Sequence, residues 1–105
     1  MKMKLVLLAL AVLTGAAMPA SALADEALAK ARGCLACHTI NRKVVGPSYR
    51  DVAKKYSGDA DAVKLLTAKI MHGGAGVWGK VPMPANAAVS EADARALAVW
   101  VLSLQ

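Results

Sequence analysis

There is no phenylalanine in this 105-residue chain, and Tyr49, Tyr56, Trp78 and Trp100 are its only tyrosines and tryptophans. So little aromatic bulk leaves a small core poorly filled, in a size class that buries only ~60% of the surface its unfolded chain exposes. Cysteine and histidine are scarce too, at two each. Cys34, Cys37, His38 and His72 do not supply the second Cys/His cluster that a four-ligand zinc site needs. No apolar run approaches the ~20 residues that cross a bilayer. No block of single-sign charge marks a nucleic-acid-binding arm, so a nucleic-acid partner is not expected. Strand-like alternation and internal repeats are also missing, which leaves an all-α reading.

What the chain does have is Cys34-Leu35-Ala36-Cys37-His38. Two thiols three positions apart with an imidazole directly after them form the C-x-x-C-H pattern of covalent c-type haem attachment. Each thiol can add to one porphyrin vinyl group, and one turn of chain reaches both. His38 then falls under the iron as proximal ligand, a position that haem iron commonly gives to imidazole. A disulfide, or a thioredoxin-like dithiol, is the competing reading of the two thiols. The dithiol should follow a strand in a βαβ unit, and nothing before Cys34 resembles one. A large flat apolar cofactor also accounts for the missing aromatic bulk.

The start of the chain reads as a leader. Lys2 and Lys4 form a charged start, Leu5 to Leu13 is an unbroken apolar run, and Ala22-Leu23-Ala24 offers a small-x-small cleavage pattern. These are the three parts of a secretory signal peptide, expected to span residues 1–24 and to be removed on export, which places the product in the periplasm. Residues 25–105 then form the one folded domain. The 57% hydrophobic content is inflated by the leader and does not indicate an integral membrane protein. Losing Lys2 and Lys4 leaves eleven basic residues against seven acidic, a formal +4. That mild excess suits steering towards an acidic patch on a protein partner.

Four helices are expected. Asp25 to Arg32 places acids at its start and bases at its end, complementing the helix dipole. Gly33 ends it, and its missing side chain would allow another element to approach closely. Gly46-Pro47 is a turn signal. Ser48 and Asp51 then give a capping box before a helix with Tyr49, Val52, Ala53 and Tyr56 on one stripe. Asp51 and Lys55 are spaced as an i, i+4 pair, and Lys54 with Lys55 reads as a solvated face. A third helix starts near Asp59 or Asp61 and runs to about His72, with Ala62, Leu65, Leu66 and Ile70 on one side. Residues 73–89 form a long loop broken by glycine and proline, a kind of segment that in small domains is usually functional or disordered. Ser90 and Asp93 open the last helix, whose stripe is Ala94, Leu97, Ala98, Val101 and Leu102, with Trp100 on its flank.

An open sixth iron position permits oxygen or peroxide chemistry, whereas a second strong ligand leaves electron transfer. Met71, His72 and Met83 are the candidates. Met71 and His72 end a helix, where core packing and a surface cap explain them. Met83 lies between Pro82 and Pro84, whose rings restrict its backbone and hold the thioether in a narrow range of directions. If Met83 does not bind, or is readily displaced, the alternative is a small haem peroxidase or gas sensor.

Taken together these residues resemble the small bacterial class I cytochromes c of the cytochrome c-551 (c8) type. The resemblance is carried by Gly33 to His38, by Val45-Gly46-Pro47-Ser48-Tyr49-Arg50-Asp51-Val52-Ala53, by Gly76-Val77-Trp78-Gly79, and by Val81-Pro82-Met83-Pro84. Asn86 and Ala98 to Ser103 also fit, so nearly all of residues 25–105 is covered. It implies a small cytochrome c fold of about four helices around one covalently bound haem c, with His38 and Met83 as iron ligands. It further implies that the Pro47 carbonyl accepts the other N–H of His38, that Trp78 and Lys69 lie near a haem propionate, and that Asn86 steadies the Met83 loop. Lys69 stands where relatives often carry Arg, and an ammonium does not reproduce a planar bidentate fork. Ala29 stands where relatives place Phe, so looser packing of the first helix on the last is expected. The function implied is a monomeric, non-enzymatic electron carrier with no small-molecule substrate. It would serve partners such as a nitrite reductase or terminal oxidase.

Overall fold

Helix starts in this chain are set by side chains that accept the first free N–H groups. A computed structural model describes residues 9–15 and 24–105, so most of the expected leader, including Lys2, Lys4 and Ala22, lies outside the described residues. Helix α1 is Glu26–Ala31, and Asp25 caps it by accepting from the Leu28 N–H at 3.1 Å. A 3-10 turn follows at Cys34–Ala36. Helix α2 is Tyr49–Lys55 and α4 is Glu91–Leu102. Ser48 and Ser90 cap them, each hydroxyl accepting from the N–H three residues on at 3.1 Å. Helix α3, Ala62–His72, has no such side-chain cap; the Asp59 carboxylate instead accepts from the Asp61 N–H at 2.8 Å. Among the described residues there is no strand, only two isolated bridges, His38 with Lys43 and Gly74 with Met83.

The core gathers on α4, which packs against α3 and α2. Ala94, Leu97, Ala98 and Val101 are buried along its inner face and meet Tyr49, Val52 and Ala29. Leu97 is only 2% exposed, and full burial of such a side chain is worth about 1.5–3 kcal/mol. Ala29 is completely buried, and α1 is tied to α4 at its end by an Arg32–Asp93 ion pair of 3.1 Å. No helix among the described residues is long and apolar enough to cross a membrane.

Three sequence expectations change. Leu65 is 39% exposed, because α3 turns Leu66 and Ile70 rather than Leu65 towards the core. Lys55 forms no ion pair with Asp51; its ammonium lies over the Trp78 ring, 5.5 Å from the centroid, so a contact with the 73–89 loop replaces the local one. Gly33 does not serve close approach within the protein, since no protein atom lies within 4 Å of where its Cβ would be. Its φ of 78° is what requires glycine, as the left-handed stop between α1 and the 3-10 turn.

Candidate haem-attachment site

The 3-10 turn brings the motif onto one surface. The N–H groups of Cys37 and His38 both donate to the Cys34 carbonyl, at 3.2 and 3.0 Å. Cys34, Cys37 and His38 thereby share the wall of one cavity. Both thiols are free rather than joined. Burial pushes the Cys34 thiol above its ordinary range, only partly opposed by a hydrogen bond with the Tyr49 side chain. A dithiol catalyst needs the reverse, a depressed pKa that maintains thiolate. Among the described residues no group of three or more His, Cys, Asp and Glu is placed to hold a metal without a porphyrin.

His38 is fixed by its neighbours. Its Nδ1 lies 2.8 Å from the Pro47 carbonyl oxygen. A carbonyl only accepts, so Nδ1 carries the proton and Nε2 keeps the free lone pair. The imidazole stacks on Tyr49 at 5.2 Å and 19°, and Tyr49 in turn meets Trp100 edge-on at 5.5 Å. On another side the ring rests against Gly46, where a Cβ would collide with Cε1 and come within 2.8 Å of Nδ1. The Gly46 N–H donates to the Cys37 carbonyl at 2.8 Å, which closes the loop under the ring. Sequence reading gave Gly46 only a turn role and Tyr49 only a core role. Their task beside His38 depends on chain reversal after Cys37, and spacing alone carries no signal for it.

Met83 reaches the same cavity from the 73–89 loop. Its backbone and that of Gly74 exchange N–H donations at 3.0 and 2.8 Å. Gly73 makes this bridge possible: its φ is 72°, and a Cβ there would run into the Met83 carbonyl oxygen and stand 2.8 Å from Ala85 N. Asn86 donates from Nδ2 to the Arg32 carbonyl at 2.9 Å, joining the far end of the loop to the end of α1. Lys69 and Trp78 also line the cavity, with Lys69 reaching towards Gly74 and Trp78 43% exposed beneath Lys55. Met71 packs partly buried against the core and His72 is exposed at the end of α3; neither lines the cavity.

The cavity has a volume of about 490 Å³ and a mainly apolar wall, within the ~300–1,000 Å³ of ligand and cofactor sites. Two thiols and an imidazole with a free Nε2 fit a covalently attached haem, Gly46 leaves room for that imidazole, and the Met83 thioether belongs to a residue on the same wall. On an all-α scaffold, this defines a protein that carries a covalently attached haem.

Comparison with known proteins agrees. The family model described as Cytochrome c matches residues 22–105. Cytochrome c-551 of Allochromatium vinosum is 56% identical over 84 residues, covering 80% of this chain and 89% of that protein. Cytochrome c-552 of Hydrogenobacter thermophilus is 56% identical over 82 residues, covering 78% and 83%. The crystal structure of cytochrome c552 from Nitrosomonas europaea superposes with a TM-score of 0.75 at 52% identity, covering 77% of this chain and all of that one. The chain belongs to the cytochrome c family; its cofactor is covalently attached haem c, and its class is the single-haem electron carriers.

Proposed function

We propose that this protein is a periplasmic one-electron shuttle in which His38 and Met83 would hold the haem iron. The observation that carries the reading is the pairing of two independently fixed donors on one cavity. His38 is locked by Pro47, Tyr49 and Gly46, and Met83 by the Gly74 bridge. Bound haem supplies the Fe(II)/Fe(III) couple. Cys34 and Cys37 hold it as thioethers, and the Pro47 carbonyl keeps His38 oriented and more basic. A Met/His pair raises the potential relative to two imidazoles. An imidazole fixed by its neighbours and a thioether on a tethered backbone would let both oxidation states share one geometry. The apolar wall would keep water off the iron, Lys69 and Trp78 on that wall would serve the propionates, and Asn86 holds the Met83 loop.

The mature chain begins at Asp25 after export. The tripartite leader supports this, as does the Nitrosomonas structure, whose full length matches 77% of this chain, about what residues 25–105 amount to. Lys43 and Lys80 are exposed beside Val44, Val45, Val77 and Val81, which are 46–65% exposed. Such a basic-rimmed apolar edge suits brief docking of a monomer on the acidic patch of a respiratory reductase or oxidase, through the small interface of a redox encounter. No small-molecule substrate is required, and the protein is not an enzyme in this reading. Visible spectra and redox titration of the haem-loaded protein and of Met83→Ala provide the test. The parent should show a sulfur-to-iron charge-transfer band when oxidised. Met83→Ala should lose it, drop in potential and admit exogenous ligands. An unchanged potential and unaltered ligand access would show that another residue holds the sixth position, and a high-spin ferric parent would favour the peroxidase or sensor reading.

A further inference from the structure

One residue outside the cavity joins three parts that the cavity needs, through its backbone carbonyl, its side chain and its place in the chain. Arg32 is the C-cap of α1, two residues before Cys34. Its carbonyl accepts from Asn86 Nδ2 at 2.9 Å, and its Nη2 donates to Asp93 Oδ2 at 3.1 Å. Asp93 sits in the first turn of α4, its own N–H held by Ser90, and its side chain is only 14% exposed. This is the one ion pair among the described residues. Asn86 is fully committed: its backbone N–H donates to Ile70 and its Oδ1 accepts from Ala88, both at 3.3 Å.

Met83 is therefore held on two sides. Towards the N-terminus the bridge to Gly74 is made of backbone alone and fastens the loop to the end of α3. Towards the C-terminus, past Pro84, Asn86 is held by its backbone N–H on the Ile70 carbonyl and by its side-chain amide on the Arg32 carbonyl. A carbonyl at a helix end frays unless something fixes its residue. Here the guanidinium does so, anchored to α4.

We propose that Arg32 and Asp93 are positioning residues for Met83. By fixing the Arg32 carbonyl they keep Asn86 in place, and so set how much of the time the thioether stays on the iron. The inference rests on the His38/Met83 reading above. An external ligand binds only the fraction of molecules whose sixth position is free, so its affinity reports that fraction directly.

The test is the affinity of the haem-loaded ferric protein for imidazole, with the denaturation midpoint measured on the same samples. Arg32→Ala, and Asp93→Asn as the milder variant, should each raise imidazole affinity roughly two- to fivefold, in keeping with a partly exposed ion pair. Arg32→Lys should return it towards the parent value. In an Asn86→Ala background, Arg32→Ala should add nothing, because the path it acts through is gone. A lower midpoint with parental imidazole affinity would make the pair purely structural and overturn the proposal. So would an equal increase in the presence and absence of Asn86. Met83→Ala separates the two levels: it should bind imidazole far more tightly than the parent. If it does not, the ligand reading fails and this inference falls with it; if it does while Arg32→Ala and Asp93→Asn match the parent, only the inference fails.

Discussion

The two segments that meet at the cavity are built in different ways. Residues 33–49 are local: a 3-10 turn, a chain reversal and a capped helix place Cys34, Cys37, His38, Pro47 and Tyr49 within a short stretch. Residues 73–89 close on themselves at the Gly74–Met83 bridge but are seated through distant partners, Asn86 on Ile70 of α3 and on Arg32 at the end of α1, and Trp78 under Lys55 at the end of α2. The first segment can take shape from its own sequence. The second needs three helices already in place, so its hold on Met83 is the more easily loosened of the two.

Glycine substitutions break this comparison most sharply. Gly73→Ala places a Cβ against the Met83–Ala85 backbone at a positive φ. The expected cost is about 2–5 kcal/mol, combining strain and overpacking, with loss of the sulfur band. Gly46→Ala meets the His38 ring rather than backbone and carries no positive-φ strain, so about 1–3 kcal/mol is expected, with the sulfur band kept. Denaturant melts and oxidised spectra of both variants check the order. A weaker effect at Gly73 than at Gly46 would reverse the assignment of which segment is more constrained.

Two smaller tests sharpen the same contrast. Lys55→Ala removes the ammonium over Trp78 and should cost about 0.5–1 kcal/mol. Its effect should appear as faster backbone amide exchange in residues 74–82, with 33–49 unchanged. Tyr49 probes the first segment through pH. Burial, with smaller contributions from the nearby cysteine sulfurs, raises its pKa well above the ordinary value of 10.0. Above about pH 10 the unfolded chain therefore releases this proton while the folded one keeps it, and stability falls as pH rises. Burial persists when the sulfurs are thioethers. Tyr49→Phe should flatten that alkaline loss in pH-dependent melts and change little at pH 7.

The same division explains what could be read from residues alone. Serine caps at Ser48 and Ser90, the stripes of α2 and α4, and the C-x-x-C-H turn are short-range patterns, and the fold follows them closely, although neither Asp51 nor Asp93 returns a bond to complete its capping box. The all-α class and the motif's place on a cavity were legible for that reason. Lys55 lay beyond this reach, because whether it meets Asp51 or Trp78 depends on where a distant loop returns. The Gly74–Met83 bridge was invisible too, since a single pair of exchanged N–H groups leaves no alternating pattern. Close approach was expected at Gly33 and only a turn at Gly46, yet Gly33 answers a backbone angle and Gly46 a neighbouring ring.

Everything said of Met83 presupposes that the turn at Cys34–His38 has already taken its haem. The intact mass of the exported protein, made in a host that attaches haem, tests this most directly. The expected mass is that of a chain starting at Asp25 plus one haem, stable to acid and organic solvent. A mass equal to the bare polypeptide would contradict the account.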